Sequence, residues 1–146
     1  MRCLAATVAG LLLASAPASA GGSAIASMRA PTEVLMADAL AHYRAGRHAE
    51  ARRLFRLLAE RQQPAAETLL GVMAANGMGG PADEAVAAGW FLRAARRGYV
   101  PAQLALANSF ARGRGVRADP ARARALAEAA AVQGQPGAAT VLGRLR

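Results

Sequence analysis

The sequence predicts an all-α fold, a solenoid of stacked antiparallel helix pairs with about seven helices in one domain. The first observation is that the chain, which is 146 residues long, matches itself at a displacement of 36 residues without an insertion. The second is that apolar residues follow the i, i+3, i+4, i+7 spacing of one helical face. The third is that each copy carries glycines and an aspartate at the same turn, as repeated helix pairs require.

The repeat involves several residue types, and not only the alanines that dominate the composition. Positions that match at the 36-residue displacement are Ala66, Ala102 and Ala138; Leu70, Leu106 and Leu142; Gly77 and Gly113; Gly79 and Gly115; Asp83 and Asp119; and Gly98 and Gly134. This register predicts two repeats, at residues 64–99 and 100–135. We expect a divergent repeat at 35–63 before them and a capping helix at 136–146 after them.

The first helix of each repeat has one apolar face and a small residue near its middle. In the copy that runs from about residue 65 to 76, the apolar face comprises Ala66, Leu69, Leu70 and Met73. The small residues of the three copies are Gly71, Ala107 and Gly143. Glycine costs on the order of 1 kcal/mol relative to alanine in a helix interior, so helix propensity does not explain why glycine stands at these positions. We expect these positions to let a neighbouring helix approach closely.

The connection between the two helices of a repeat contains two glycines separated by one residue, at 77–79 and again at 113–115. Such glycines permit the positive φ values of a tight turn. Asp83 and Asp119 are the predicted N-caps of the second helices. Pro120 suits the first helical position, because its missing N–H needs no partner there.

The second helix of each repeat is expected to bury one stripe and to expose an arginine-rich face. The stripe of the earlier copy comprises Trp90, Phe91, Ala94 and Ala95, and the exposed face comprises Arg93, Arg96 and Arg97. The stripe of the later copy comprises Ala123, Leu126, Ala127, Ala130 and Ala131. Gly98 and Gly134 are expected to end these helices, and Pro101 and Pro136 to open the next ones.

These residues together resemble the pattern of the Sel-one-like repeat family, which is related to the tetratricopeptide repeat. The matching residues are Leu70, Gly71, Gly77, Gly79, Asp83, Ala87, Trp90, Phe91, Ala94, Ala95 and Gly98, followed in the next copy by Phe110, Gly113, Gly115, Asp119, Ala123, Ala130, Ala131 and Gly134. The resemblance covers residues 37–146 and implies a right-handed α-solenoid that binds other proteins. The hairpin of the first repeat lacks the double glycine, so this unit is more similar to a tetratricopeptide repeat.

The first 20 residues have the layout of a secretory signal peptide. Arg2 supplies the positive start, residues 5–13 form an apolar run, and Ala18 and Ala20 are the small residues before a cleavage site. The run is too short for a membrane-spanning helix, which needs about 20 apolar residues. The sequence therefore predicts a periplasmic or secreted protein, with an uncleaved anchor as the alternative.

Cleavage is expected after Ala20, and Ala26 marks a second possible cut. The residues that follow, 21–34, are expected to form a flexible segment before the repeats. Cys3 is the only cysteine and lies inside the signal. The mature chain would therefore have no disulfide, no catalytic thiolate and no cysteine metal site.

The chain is strongly basic, with 18 arginines and no lysine against nine acidic residues, which gives a formal net charge of +9. The absence of lysine and the abundance of alanine are typical of proteins from GC-rich bacterial genomes. The arginines are scattered among acidic residues along the predicted helices. This indicates a solvated helical face, and it argues against a nucleic-acid partner. Weak contact with anionic surfaces is an alternative.

No pattern in the sequence points to catalysis, a cofactor or a metal ion. His42 and His48 are the only histidines, and a turn separates them, so a metal site at this pair is not expected. Ser109 has no histidine or lysine at the offset of a nucleophile motif. The adjacent Asp83 and Glu84 are explained by the positive end of a helix dipole. We therefore expect a non-enzymatic protein.

Polar positions on the first helices are the candidates for a binding surface, because the resemblance implies that these helices line the concave face. Gln103, Asn108 and Arg112 lie on one side of the predicted helix, away from its apolar stripe. The leading hypothesis is an adaptor in the bacterial cell envelope that binds a protein or peptide partner. The alternative is a polysaccharide- or cell-wall-associated accessory protein. Stable membrane insertion after signal cleavage is not expected.

Overall fold

The computed structural model describes residues 26–146, and the signal peptide expected at residues 1–20 lies outside them. The described part of the chain is helical and contains no β-strand. A short helical turn at residues 26–29 comes first. The helices that follow are α1 (Thr32–Arg44), α2 (His48–Glu60), α3 (Pro64–Ala75), α4 (Glu84–Arg96), α5 (Val100–Arg112), α6 (Pro120–Val132) and α7 (Ala138–Arg144).

Each helix packs mainly against its neighbours along the chain, from α1 through to α7. Further contacts join the first helices of successive pairs, α3 with α5 and α5 with α7. Helix pairs that contact only adjacent pairs are the arrangement of an α-solenoid. The predicted fold class, an all-α solenoid of stacked helix pairs, is therefore confirmed, and seven helices make up residues 32–144.

The second helices of the three pairs share one spacing, because they begin at His48, Glu84 and Pro120. Each start lies 36 residues after the previous one, so the register extends into the first pair. The connection inside that pair is shorter, since residues 45–47 join α1 to α2 whereas residues 76–83 join α3 to α4. The second helix of the first pair therefore keeps the 36-residue spacing of the later pairs, but the turn that precedes it is shorter than theirs.

The segment expected to be flexible, residues 21–34, is held in place over its described part. Arg61 lies just after α2, and its guanidinium donates to the carbonyl oxygens of Ala30 at 2.6 Å and Met28 at 2.7 Å. These are carbonyls of the short helical turn at residues 26–29 and the residue that follows it. A cation at the carbonyl end of a helical turn is favourable, because the unpaired carbonyls there carry partial negative charge. Arg61 therefore anchors the N-terminal turn to the first helix pair.

The predicted aspartate caps are confirmed in both repeats. One side-chain oxygen of Asp83 accepts a hydrogen bond from the backbone N–H of Val86 at 3.0 Å. Asp119 does the same for the N–H of Arg122, also at 3.0 Å. The backbone N–H of Asp83 also donates to the carbonyl of Ala74, near the end of α3, which ties the cap to the preceding helix. These bonds satisfy amide groups that a helix start otherwise leaves without a partner.

The second glycine of each turn lets one pair lie directly on the previous pair. Gly79 has a φ of 73° and Gly115 a φ of 70°, a region that residues with a side chain rarely adopt. The turn at Gly115 lies against the first residue of α4, where a Cβ would overlap the carbonyl of Glu84. A Cβ on Gly79 would stand 2.9 Å from the carbonyl oxygen of His48, the first residue of α2. Both glycines therefore serve the stacking of successive pairs.

Inside each repeat, the size of the side chain at one position of the first helix is matched to the size of the side chain that faces it on the second helix. Gly71 of α3 has no side chain, and the ring of Phe91 lies where its Cβ would be. The equivalent residues in the next repeat are Ala107 and Ala127, which are both buried in one cluster with Val141. Glycine with phenylalanine and alanine with alanine are two ways to fill the space between two helices. The prediction of close helix approach is confirmed at Gly71.

A buried carboxylate joins α3 to the end of α4. Glu67 has no exposed surface, and Arg97 donates from Nε to its Oε2 at 3.2 Å. Arg93 places Nη2 at 3.0 Å from Oε1, at an angle that forms no hydrogen bond, so this oxygen is neutralised by charge alone. Arg93 also covers the ring of Trp90, with its guanidinium carbon 4.7 Å from the ring centre. Arg93 and Arg97 therefore do not form the purely solvated face expected of them, and Trp90 is half-buried.

Three packing expectations for the last part of the chain are wrong. Gly143 has no atom within 4 Å of the position of a Cβ, because no helix in the described chain covers that face of α7. Ala131 is exposed, because it faces away from the side of α6 that buries Ala127 and Ala130. Pro136 does not open the last helix, because Gly137 has a φ of 87° and α7 begins at Ala138.

Gly71 and Gly143, which both lie inside helices, should respond oppositely to substitution by alanine. Gly71→Ala places a methyl group against the ring of Phe91, and overpacking of this kind costs about 1–3 kcal/mol. Gly143→Ala meets open space, so it should gain up to about 1 kcal/mol of helix propensity. Urea denaturation followed by circular dichroism measures both. A Gly71→Ala protein as stable as the Gly143→Ala protein would contradict the assigned packing.

The Glu67 cluster gives a second stability prediction. Removing both cations, in Arg93→Gln/Arg97→Gln, leaves a buried carboxylate without a partner and should cost about 3 kcal/mol. Adding Glu67→Gln to that variant should restore part of the loss, because a neutral amide is less costly to bury. The next repeat also has three uncharged residues at the equivalent positions, Gln103, Ala129 and Gln133. A triple variant less stable than the double variant, in the same urea titration, would refute this account.

Candidate functional site

A groove of about 360 Å³ lies between the two repeats, and we call it the inter-repeat groove. Its apolar lining comes from the end of α3, from α4 and from α5, and consists of Ala75, Ala87, Phe91 and Ala105. Ala87 and Phe91 are also part of the hydrophobic core, so this lining is backed by fixed side chains. The volume is in the range of sites that hold a small ligand or a few side chains of a peptide.

The polar part of the inter-repeat groove is dominated by arginine. It comprises Asn108, Ser109 and Arg112 of α5, Arg114 of the following turn, Arg144 of α7 and one acidic residue, Glu84. Arg114 donates from Nε to Oε1 of Glu84 at 2.7 Å, which compensates one positive charge. Both partners are partly exposed, so this pair fixes the turn more than it stabilises the fold.

The three residues that the sequence proposed as a binding surface do not all lie together. Asn108 and Arg112 line the inter-repeat groove, and Gln103 lies outside it. Gln103 is half-buried, and its Oε1 is enclosed without a hydrogen-bond partner among residues 26–146. It occupies the repeat position of Glu67, which packs against the second helix of its own pair. Gln103 is therefore a position between helices and not part of an open surface.

Several groove residues were not identified from the sequence, because they come from different helices. Phe91 was assigned to the core and Glu84 to the start of a helix, and both also face the groove. Arg144 lies in the predicted capping helix and stands at the repeat position of Asn108, 36 residues later. The signal that could have found it is this register, which places equivalent residues of successive first helices side by side.

The histidines and the buried serine have structural partners. Arg47 donates from Nε to Nδ1 of His42 at 2.9 Å, and the ring of His48 lies edge-on to Tyr43 at 5.8 Å. Ser109 lines the groove, and its hydroxyl donates to the carbonyl of Ala105 at 3.2 Å. In residues 26–146 no three histidine, cysteine or acidic side chains stand close enough together to hold a metal ion. The same residues include no helix that is both long and apolar enough to cross a bilayer.

Comparisons with known proteins agree with this architecture. The sequence profile of the Sel1 repeat matches residues 64–99 and 100–135. No curated protein is significantly similar to the chain. Among solved structures, the chain is similar to a Sel1 repeat protein from Oxalobacter formigenes, with 37% identity and a TM-score of 0.64 over 67% of this chain and 29% of that one.

A second solved structure is c5321, a protective antigen present in uropathogenic Escherichia coli strains that displays an SLR fold. It has 30% identity and a TM-score of 0.71, over 77% of this chain and 25% of that one. The chain thus spans less than a third of either protein. Sel1 repeat proteins generally mediate protein–protein interactions, and their fold is typically a non-catalytic scaffold. The two matched repeats and these structural relatives show that the chain belongs to the Sel1-like repeat family.

Proposed function

We propose that this protein is a non-enzymatic adaptor of the bacterial cell envelope, and that it holds a protein or peptide partner in the inter-repeat groove. The observation that carries the proposal is the groove itself, which has an apolar lining backed by the core and polar groups from three helices and a turn around it. A groove built from core residues is preformed, so a partner does not have to order it on binding.

The envelope location rests on the first 20 residues, whose charged start, apolar run and small residues have the layout of a secretory signal. The absence of cysteine after position 3 fits an exported chain that needs no disulfide, since the repeats are held by core packing and glycine turns. The partner is accordingly sought among proteins of the envelope.

Export is tested by producing the protein with a C-terminal tag in a Gram-negative host. Fractionation should recover it from the periplasm or medium, and mass spectrometry should give Gly21 as its first residue. In Ala20→Leu, the large side chain blocks the cut, so the precursor should accumulate or the start should move to Ser27. A cytoplasmic protein that keeps residues 1–20 in the parent sequence would contradict export.

Partner binding is tested with a photoreactive phenylalanine analogue placed at position 108 or at position 128. Asn108 lines the groove, whereas Glu128 is an exposed residue of α6 that does not line it. Irradiation of cells should give a discrete crosslinked protein from position 108 and none from position 128. The same products from both positions would reject the groove as the binding site. Binding to purified peptidoglycan, with no crosslinked protein, would favour the cell-wall alternative.

A further inference from the structure

Two arginines of the inter-repeat groove have no counterion among residues 26–146. Arg112 is the last residue of α5, and Arg144 is the last residue of α7. Neither forms an ion pair or a side-chain hydrogen bond with any residue from 26 to 146. Arg114 is compensated by Glu84, so the groove retains the charge of two guanidinium groups.

The positions of these arginines at helix ends do not remove the need for an anion. The negative end of a helix dipole favours a cation in the last turn, which accounts in part for the residue type. The dipole is a partial charge shared by several carbonyls and is screened by solvent. It therefore leaves most of the charge of Arg112 and Arg144 available to a ligand.

The lining of the groove changes from apolar to cationic along its length. At the α3–α4 side the apolar lining is Ala75, Ala87 and Phe91, and the charge of Glu84 there is paired with Arg114. Helix α5 contributes Asn108 and Arg112, and α7 contributes Arg144. Asn108 and Arg144 stand at equivalent repeat positions, and the corresponding residue of α3 is Val72, which packs into the core. Val72 does not line the groove, so the direction of the groove comes from the change from the neutral Asn108 of α5 to Arg144 of α7. A ligand that fits it has an apolar group at one end and an anionic group at the other.

We infer that the inter-repeat groove binds an acidic peptide segment, with an apolar side chain against Phe91 and a carboxylate against Arg112 and Arg144. This inference rests on the proposed function and names the chemistry of its partner. A guanidinium binds a carboxylate with two parallel hydrogen bonds, and Asn108 supplies an amide donor beside them. The groove encloses about 360 Å³, so it receives individual side chains, whereas a bilayer presents a flat surface. A peptide is therefore favoured over a membrane as the source of the anion.

The test uses fluorescence anisotropy of the purified protein with three labelled octapeptides of matched length. The first has two leucines followed by two glutamates, the second replaces the glutamates with glutamines, and the third replaces them with lysines. The glutamate peptide should bind about tenfold more tightly than the glutamine peptide, because charge-assisted hydrogen bonds are lost in the amide. The lysine peptide should show no binding.

The arginines are tested with Arg112→Gln/Arg144→Gln, which should lower the affinity for the glutamate peptide about tenfold and remove its preference over the glutamine peptide. Arg96→Gln is the matched control. Arg96 is an exposed arginine at the end of α4 that lies outside the groove, so its removal should leave the affinity unchanged. Circular dichroism checks that all variants retain the helical fold. We expect them to do so, because glutamine at an exposed helix position is well tolerated.

The inference is overturned if the glutamate and glutamine peptides bind equally, if none of the peptides binds, or if Arg96→Gln weakens binding as much as the groove variant. Binding of phosphatidylglycerol vesicles in place of the peptides would also overturn it.

Crosslinking from position 108 separates the two proposals. A partner crosslinked equally in the parent protein and in the Arg112→Gln/Arg144→Gln variant would leave the adaptor function standing and reject the acidic segment. If the groove prefers the glutamate peptide but no envelope protein is crosslinked, the acidic ligand stands and the adaptor function is rejected.

Discussion

The close contact between a glycine turn and the start of the previous second helix is the constraint on which the stack depends. At Gly115 the backbone lies so near the carbonyl of Glu84 that no side chain fits, and Gly79 has the same relation to His48. This contact fixes where each pair sits on the one before it, and it recurs at the 36-residue interval that separates the second helices. Because it is made by backbone atoms, the side chains of neighbouring pairs are free to vary, and they do vary between Phe91 and Ala127.

The inter-repeat groove follows from the same stacking. The turn that contains Gly115 rests on the start of α4, and this brings Arg114 to Glu84 and places the end of α5 beside the core residues of the preceding repeat. The first helices stand side by side, so that Arg144 of α7 joins Asn108 of α5 at one rim. The scaffold thus determines which surface positions meet, and the residue types at those positions determine what they can bind.

Features set by short stretches of chain could be predicted from the sequence, and features set by several helices could not. The aspartate caps, the positive φ of the turn glycines and the helix bounds depend on residues a few positions apart. They agree with the pattern in both Sel1 repeats, whereas the start of α7, after Pro136, does not. Gln103 and Gly143 illustrate the limit. Each has the same place in its helix as a residue of the first Sel1 repeat, yet Gln103 lacks the arginines that accompany Glu67, and Gly143 lacks the ring that covers Gly71. What surrounds a position depends on its neighbours in space, which the local pattern does not contain.

The size of the buried side chains decreases along the solenoid, and this gives the molecule an energetic gradient. The first pair buries leucines and Phe55, whereas α6 buries only alanines. Since burial contributes about 25 cal/mol per Å² of apolar surface, the last helices are held by the least free energy. Native-state hydrogen exchange is therefore expected to be fastest there, as local opening starts where burial is smallest. The groove joins the middle of the stack to this weaker end, so any occupant that touches both α4 and α7 also closes the part of the solenoid that opens first.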